Sequence, residues 1–323
     1  LDQQIIVYTL FPRNYIEPEE TRLPNIIKKM LKKKKTQVAI GDETVQTTPL
    51  LDDALSHKGD DRPAYRPVQF LVGSAQSVGM QRDHNEDTLF SLSSVVGDGT
   101  NDIAFGIAIV ADGMGGHKNG EIASGVAARF VAKNLVSKVL TRLLSIHNEP
   151  LEESLQEIME GAINETQKAV MRFAPGGGTT FTCALITGEQ VTIGHVGDSR
   201  AYFVFNDGRI QKITKDHSLV QRMVDLEEIT EAEAAVHPQR NVLLKAIGHT
   251  ESVYPDIQTF QVPKDGYMLL CSDGLWGVVP DTTIQRVLAK TLDPVLMCDE
   301  LVIEANNKGG PDNISVILVR FYG

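Results

Sequence analysis

The sequence predicts an α+β fold in which antiparallel strands group around pairs of helices. Three observations point there. Six apolar runs have strand length, at 103–111, 181–187, 191–196, 201–205, 267–271 and 314–321. Two longer stretches, 120–145 and 151–173, repeat their apolar residues at helical spacing. Strands and helices do not alternate strictly, so a sandwich is favoured over a parallel sheet.

Residues 1–67 stand apart from the rest. They carry 11 Lys and Arg against 10 Asp and Glu, whereas the other 256 residues carry 20 against 32. A lysine cluster at 28–35 and a polar stretch from Gly41 to Pro67 read as a mobile tail or small appendage, joined near Arg66-Pro67 to a domain at 68–323. Two readings of Asn25 to Lys32 stay open, a solvated linker and a short basic amphipathic helix on an anionic membrane. Thr44, Thr47 and Thr48 sit in an acidic context that resembles sites docked by phosphopeptide-binding modules.

The domain then unfolds in order. The strand at 103–111 leads to a helix over 120–145, whose apolar face is Ile122, Val126, Phe130, Val131, Leu135 and Val139. A second helix over 151–173 presents Leu155, Ile158, Met159, Ala162, Ile163 and Val170. Three strands follow, and Asn206-Asp207-Gly208 supplies a hairpin turn after the last. The polar segment 217–248 has helical patches and suits a flap. After the strand at 267–271, Asp293 and Pro294 start a helix that Gly309 stops, and a final strand closes the chain.

Composition narrows the function. The 323 residues are 42% hydrophobic and 23% charged, which is globular and excludes wholesale disorder. No apolar run approaches the roughly 20 residues that a membrane span requires, and no secretory signal opens the sequence. A net charge of −11 argues against a nucleic acid partner. Cys183, Cys271 and Cys298 form no CxxC pair, so they read as reduced thiols of a cytoplasmic protein.

The acids carry the chemistry. The run ending in Ala111 passes into Asp112-Gly113, the run ending in Cys271 passes into Ser272-Asp273-Gly274, and Asp312-Asn313 precedes the last strand. Glu86-Asp87 makes a fourth acidic site. One Asp-Gly after a strand is usually only a turn; the ordered set is what points to a site. Carboxylates gathered at one end of a sheet repel unless cations neutralise them. Oxygen-only donors suit magnesium or manganese rather than zinc. Two such ions can arm a shared water to attack phosphorus, and the planar fork of Arg82 can hold the phosphate.

Seven motifs occur in an order that resembles the bacterial metal-dependent serine/threonine protein phosphatases of type 2C, the PPM family. They are Gly79-Met80-Gln81-Arg82 with Asn85-Glu86-Asp87, Asp112-Gly113-Met114-Gly115-Gly116-His117, Gly178-Thr179-Thr180 and Gly197-Asp198-Ser199-Arg200. Lys215-Asp216-His217-Ser218, Ser272-Asp273-Gly274 and Gly310-Pro311-Asp312-Asn313 complete them. The resemblance implies an αββα four-layer sandwich with two central antiparallel sheets. It implies hydrolysis of phosphoserine and phosphothreonine by a hydroxide that bridges two divalent metal ions, manganese or magnesium. Asp112 is expected to bridge them, with the Gly113 carbonyl on the second, Asp273 and Asp312 on the first, and Glu86 and Asp87 acting through the waters of the second. Arg82 is expected to hold the phosphate. Asp198-Ser199-Arg200 is expected to be a structural turn, and His237 and Arg240 to fix the flap. Implied partners are phosphorylated proteins and a bacterial Ser/Thr kinase that the enzyme opposes; a cytoplasmic monomer is expected.

Two departures matter. Many relatives place an Asp shortly before Gly-Thr-Thr, on a third metal, but Phe173 to Gly178 contains no carboxylate, so the third site is left open. Some relatives place a His after the Asp-Gly as general acid, where this chain has Met114. His117 or a metal-bound water is then a candidate general acid, and His117 is equally a residue that caps or orders the helix starting near Gly120. Two other functions stay in view: a pseudophosphatase, against which Arg82, Asp112, Asp273 and Asp312 speak together, and a two-metal nuclease, disfavoured by the acidic domain.

Overall fold

Each central apolar run folds as a strand because both of its faces are covered. Along β3 (Asp102–Ala111), Phe105, Ile107 and Ile109 pack toward helices, while Ala108 and Val110 pack toward a second sheet. In β11 (Gly266–Cys271) and β12 (Ile314–Tyr322) the same alternation splits Leu269 and Leu318 from Leu270 and Ile317. Strands buried on two sides read as continuous apolar runs rather than alternating ones.

The computed structural model describes residues 69–97, 102–115, 118–145, 152–249 and 252–322. The predicted tail, its lysine cluster and its threonines lie outside the described residues, as does His117.

Two five-stranded sheets stack face to face, and all their pairings are antiparallel. One runs β1 (Gln69–Ser77), β12, β11, β8 (Arg200–Phe205), β9 (Ile210–Lys212). The other runs β10 (Asp256–Gln261), β7 (Gln190–Val196), β6 (Phe181–Thr187), β3, β2 (Thr88–Gly97). Helices α1 (Lys118–Leu135) and α2 (Leu155–Phe173) cover the second sheet. The first sheet is covered by α6 (Asp281–Leu288) and α7 (Pro294–Asn307). The order of layers is αββα.

Local chemistry sets the ends. α2 starts at Leu155 rather than 151, because Ser154 and Glu157 form a capping box. Asp293 caps α7 through a 2.9 Å bond from Val295 N–H, with Pro294 in the first turn. The apolar face expected for α1 needs correction. Ile122 and Phe130 are exposed, and the buried stripe is Ala123, Ala127, Ala128, Val131 and Leu135. Small residues there let α1 lie close against α2 and the sheet. Among the described residues no helix is long and apolar enough to cross a membrane.

Candidate active site

Four segments far apart in sequence meet where β3, β11 and β12 end or begin. Asp112 follows β3, Asp273 opens the short helix α5 (Asp273–Trp276) after β11, and Asp312 precedes β12. With Arg82, Glu86 and Gly113 they line one cavity of about 700 Å³. The structure thus brings together every site residue the sequence singled out within the described residues except Asp87, which is not among the residues that line the cavity. Asp87 is buried, and one carboxylate oxygen accepts a 2.7 Å bond from Ser315 Oγ.

The backbone around these acids is tightly held. Asp112 N–H donates to Thr180 Oγ1 at 3.0 Å, and its carbonyl accepts from Thr180 N–H at 2.8 Å and from Thr179 Oγ1 at 2.9 Å. The next two residues form β4 (Gly113–Met114), paired with β5 (Gly178–Thr179). A Cβ on Gly113 would overlap the carbonyls of Gly120 and Glu86, so only glycine fits there. Asn313 ties the Arg82–Glu86 loop to β12. Its Oδ1 accepts from Glu86 N–H at 2.8 Å, and its Nδ2 donates to the carbonyls of Val78 and His84 at 2.9 Å each.

Electrostatics mark the cluster as short of positive charge. Burial, then Asp87 and Asp273, push the Asp112 carboxyl well above the usual range. Burial raises Asp87 to about 7, against the bonds from Ser315 and Ser272. Burial and Asp312 raise Asp273 to about 6. Asp87 Oδ1 and Asp273 Oδ1 are buried with no hydrogen-bond partner. Orphaned carboxylate oxygens among mutually repelling acids are what a hard cation would satisfy, and the donors are all oxygen. The residues present therefore fit divalent metal. Among the described residues no three acidic or histidine side chains already form a finished ligand group. Asp312 is turned to Arg82 and Asp87 to Ser315.

Sequence reasoning missed several cavity residues. Asp198, expected in a structural turn, also lines the cavity, and burial with the Asp273 charge raises it to about 8. Its carbonyl accepts a 3.0 Å bond from Trp276 Nε1. Its neighbours do serve structure. Ser199 Oγ lies 2.8 Å from Thr180 Oγ1, and Arg200 forks onto Asp216. The signal for Asp198 was present, because it too follows a buried strand and a glycine.

The segment 217–248 forms one wall of the cavity through Asn241, Leu243, Leu244, Lys245 and Ala246. It leaves the body through His217 N–H, which donates to Gly197 O at 2.7 Å, and carries α3 (Leu219–Asp225) and α4 (Glu231–Val236). It returns beside its own start, with Leu244 N–H donating to His217 O at 2.7 Å. His237 Nδ1 accepts from Gln239 N–H at 3.2 Å, a local bond that holds the turn. Lys245 Nζ is pinned 3.2 Å from Asp256 Oδ1.

Known proteins share this arrangement. The family model for protein phosphatase 2C matches residues 72–314. A serine/threonine phosphatase stp of Listeria innocua is 37% identical over 222 residues, 66% of this chain and 84% of that protein. The S. agalactiae serine/threonine phosphatase structure is similar with a TM-score of 0.67 and 29% identity, covering 78% of this chain and 99% of that one. The catalytic domain of PstP in complex with two manganese ions gives 0.62 and 27%, covering 79% and 100%.

Proposed function

We propose how this chain, which belongs to the protein phosphatase 2C family and is a metal-dependent serine/threonine protein phosphatase, divides the hydrolysis among its own residues. Asp112, the Gly113 carbonyl, Asp273 and Asp312 would hold two divalent cations, manganese or magnesium, with Glu86 and Asp87 behind them. The two manganese ions of the similar PstP domain support that number. When bound, the cations supply neutralising charge and an activated water.

The protein's own groups do the rest. Arg82 stands half exposed at the cavity with Asp312 as its present partner. Its fork suits a phosphate dianion, so substrate would draw it from the carboxylate and be oriented by two parallel bonds. Thr179 and Thr180 keep Asp112 from moving as charge develops. The wall formed by 217–248 would meet the protein that carries the phosphoserine or phosphothreonine. We place the activity in the cytoplasm, opposite a serine/threonine kinase; three free, buried cysteines suit a reducing compartment.

One observation carries this reading: aspartates from separate segments converge on one cavity that also holds an arginine. The test is hydrolysis of 4-nitrophenyl phosphate. Turnover should require manganese or magnesium, stop with a chelator and vanish in Asp112→Ala. A wild-type protein that binds manganese by calorimetry yet turns over nothing would overturn the reading.

A further inference from the structure

We propose that His249 donates the proton required by the departing seryl or threonyl oxygen, a role that rests on the hydrolase reading above. The residue after Asp112-Gly113 is Met114, whose thioether has no proton to give. The fold brings an imidazole beside it from 135 positions away in the sequence.

The connection runs through main chain. Met114 pairs with Gly178. Thr179 and Ile247 exchange two hydrogen bonds, N–H to O at 2.9 Å each way. The turn after Ile247 is fixed by Gly248, whose N–H donates to the buried Gln167 Oε1 at 2.8 Å. His249 then lies over Gly178. A Cβ on Gly178 would overlap the ring carbon Cδ2 and stand 3.1 Å from Nε2. The missing side chain of Gly178 is what lets the ring rest on the strand next to Met114.

From there His249 lines the same cavity as Arg82, Asp112 and Asp273. His84 lines it too, but its Nε2 faces Glu86 Oε1 at 3.2 Å. His249 is exposed in that cavity, where an incoming substrate would meet it.

The step balances with water as the only co-reactant. A water oxygen bonds to phosphorus while the bond from phosphorus to the seryl oxygen breaks, its electron pair staying on that oxygen. A ring nitrogen of His249 passes its proton to the oxygen, which leaves as the serine hydroxyl. The neutral ring regains, through solvent, the proton released by the attacking water, and inorganic phosphate remains.

A proton donor matters in proportion to how poor the leaving group is. Rates are therefore compared for wild type, His249→Ala and His249→Gln, with saturating manganese, on 4-nitrophenyl phosphate, phenyl phosphate and a phosphoserine peptide. We expect kcat on the peptide to fall by roughly 100-fold in both variants. The loss should shrink in the order peptide, phenyl, nitrophenyl, with KM changing less than kcat. An equal loss on all three substrates, or a raised KM with kcat retained, would overturn the assignment and mark His249 as a docking residue. A wild type inert toward all three while binding manganese would instead sink the hydrolase reading, and this role with it.

Discussion

Arg82 Nη2 donates a 2.7 Å hydrogen bond to Asp312 Oδ2, across 230 positions of sequence. Two groups assigned different tasks, one for phosphate and one for metal, are partners in this state. With Asp312 as a metal ligand, as proposed above, cation and guanidinium would compete for one carboxylate. Arg82→Ala should lower kcat/KM for phosphopeptide by about 10- to 100-fold, the worth of a charged hydrogen bond. Manganese affinity, read by calorimetry, should hold or rise. A variant that binds manganese more weakly would show that Arg82 organises the acids instead of contending with them.

The pH dependence of the metal-free protein has a sign that can be worked out. Asp273, Asp87 and Asp198 are raised to about 6, 7 and 8, against 3.8 for an ordinary aspartate. Folded protein holds protons there that the unfolded chain has lost, so this contribution is full below about pH 4 and disappears as pH rises through 6 to 8. His195 acts oppositely, because burial lowers it from 6.5 to about 4, and its contribution is lost only as pH falls below 6.5. Burial also lowers His217, and toward pH 8 the histidine contributions are complete, which leaves the carboxylates to set the slope. Tm in chelator should fall from about pH 7 to 8, and manganese should flatten the slope. A chelated protein whose Tm climbs from about pH 7 to 8 would contradict this account.

Asn313 should matter beyond its size. Truncation to Ala would leave Glu86 N–H and the carbonyls of Val78 and His84 without their partner. We expect a loss of about 2–3 kcal/mol, since three half-buried hydrogen bonds each contribute roughly 0.5–1.5 kcal/mol. Urea unfolding measures the loss. Manganese titration should show weaker binding, because the Arg82–Glu86 loop is no longer tied to the start of β12.

Arg200 is held on two sides. Its guanidinium stacks 3.6 Å from the Trp276 ring and donates to both oxygens of Asp216, whose side chain is 5% exposed. Arg200→Ala should cost about 3–5 kcal/mol, as for a broken buried pair. Lysine keeps the charge but not the fork or the stack, so Arg200→Lys should recover only part. A lysine variant that unfolds with wild type in denaturant would mean that charge alone suffices.

The sequence showed the central strands sharply, because two-sided burial makes them unbroken apolar runs. Strands β1, β2 and β10 escaped notice. They lie at sheet edges with alternating exposure, and β2 spends Ser91, Ser93 and Ser94 on partly exposed positions. Asp112, Asp273 and Asp312 were legible because each interrupts such a run. Lys245 and His249 were not, since main-chain pairings such as Thr179 with Ile247 and Ser218 with Leu243 carry them to the cavity. Such pairings are main chain to main chain and leave no pattern in side chains.

The small ribbon of Gly113–Met114, Gly178–Thr179 and Ile247 has an evolutionary implication. Because its bonds belong to the backbone, the wall over the cavity can exchange most of its side chains for new recognition surfaces. Its hem stays stitched to the peptide beside Asp112 throughout. Descendants of this chain could thus change clients freely while inheriting one unaltered point of attachment.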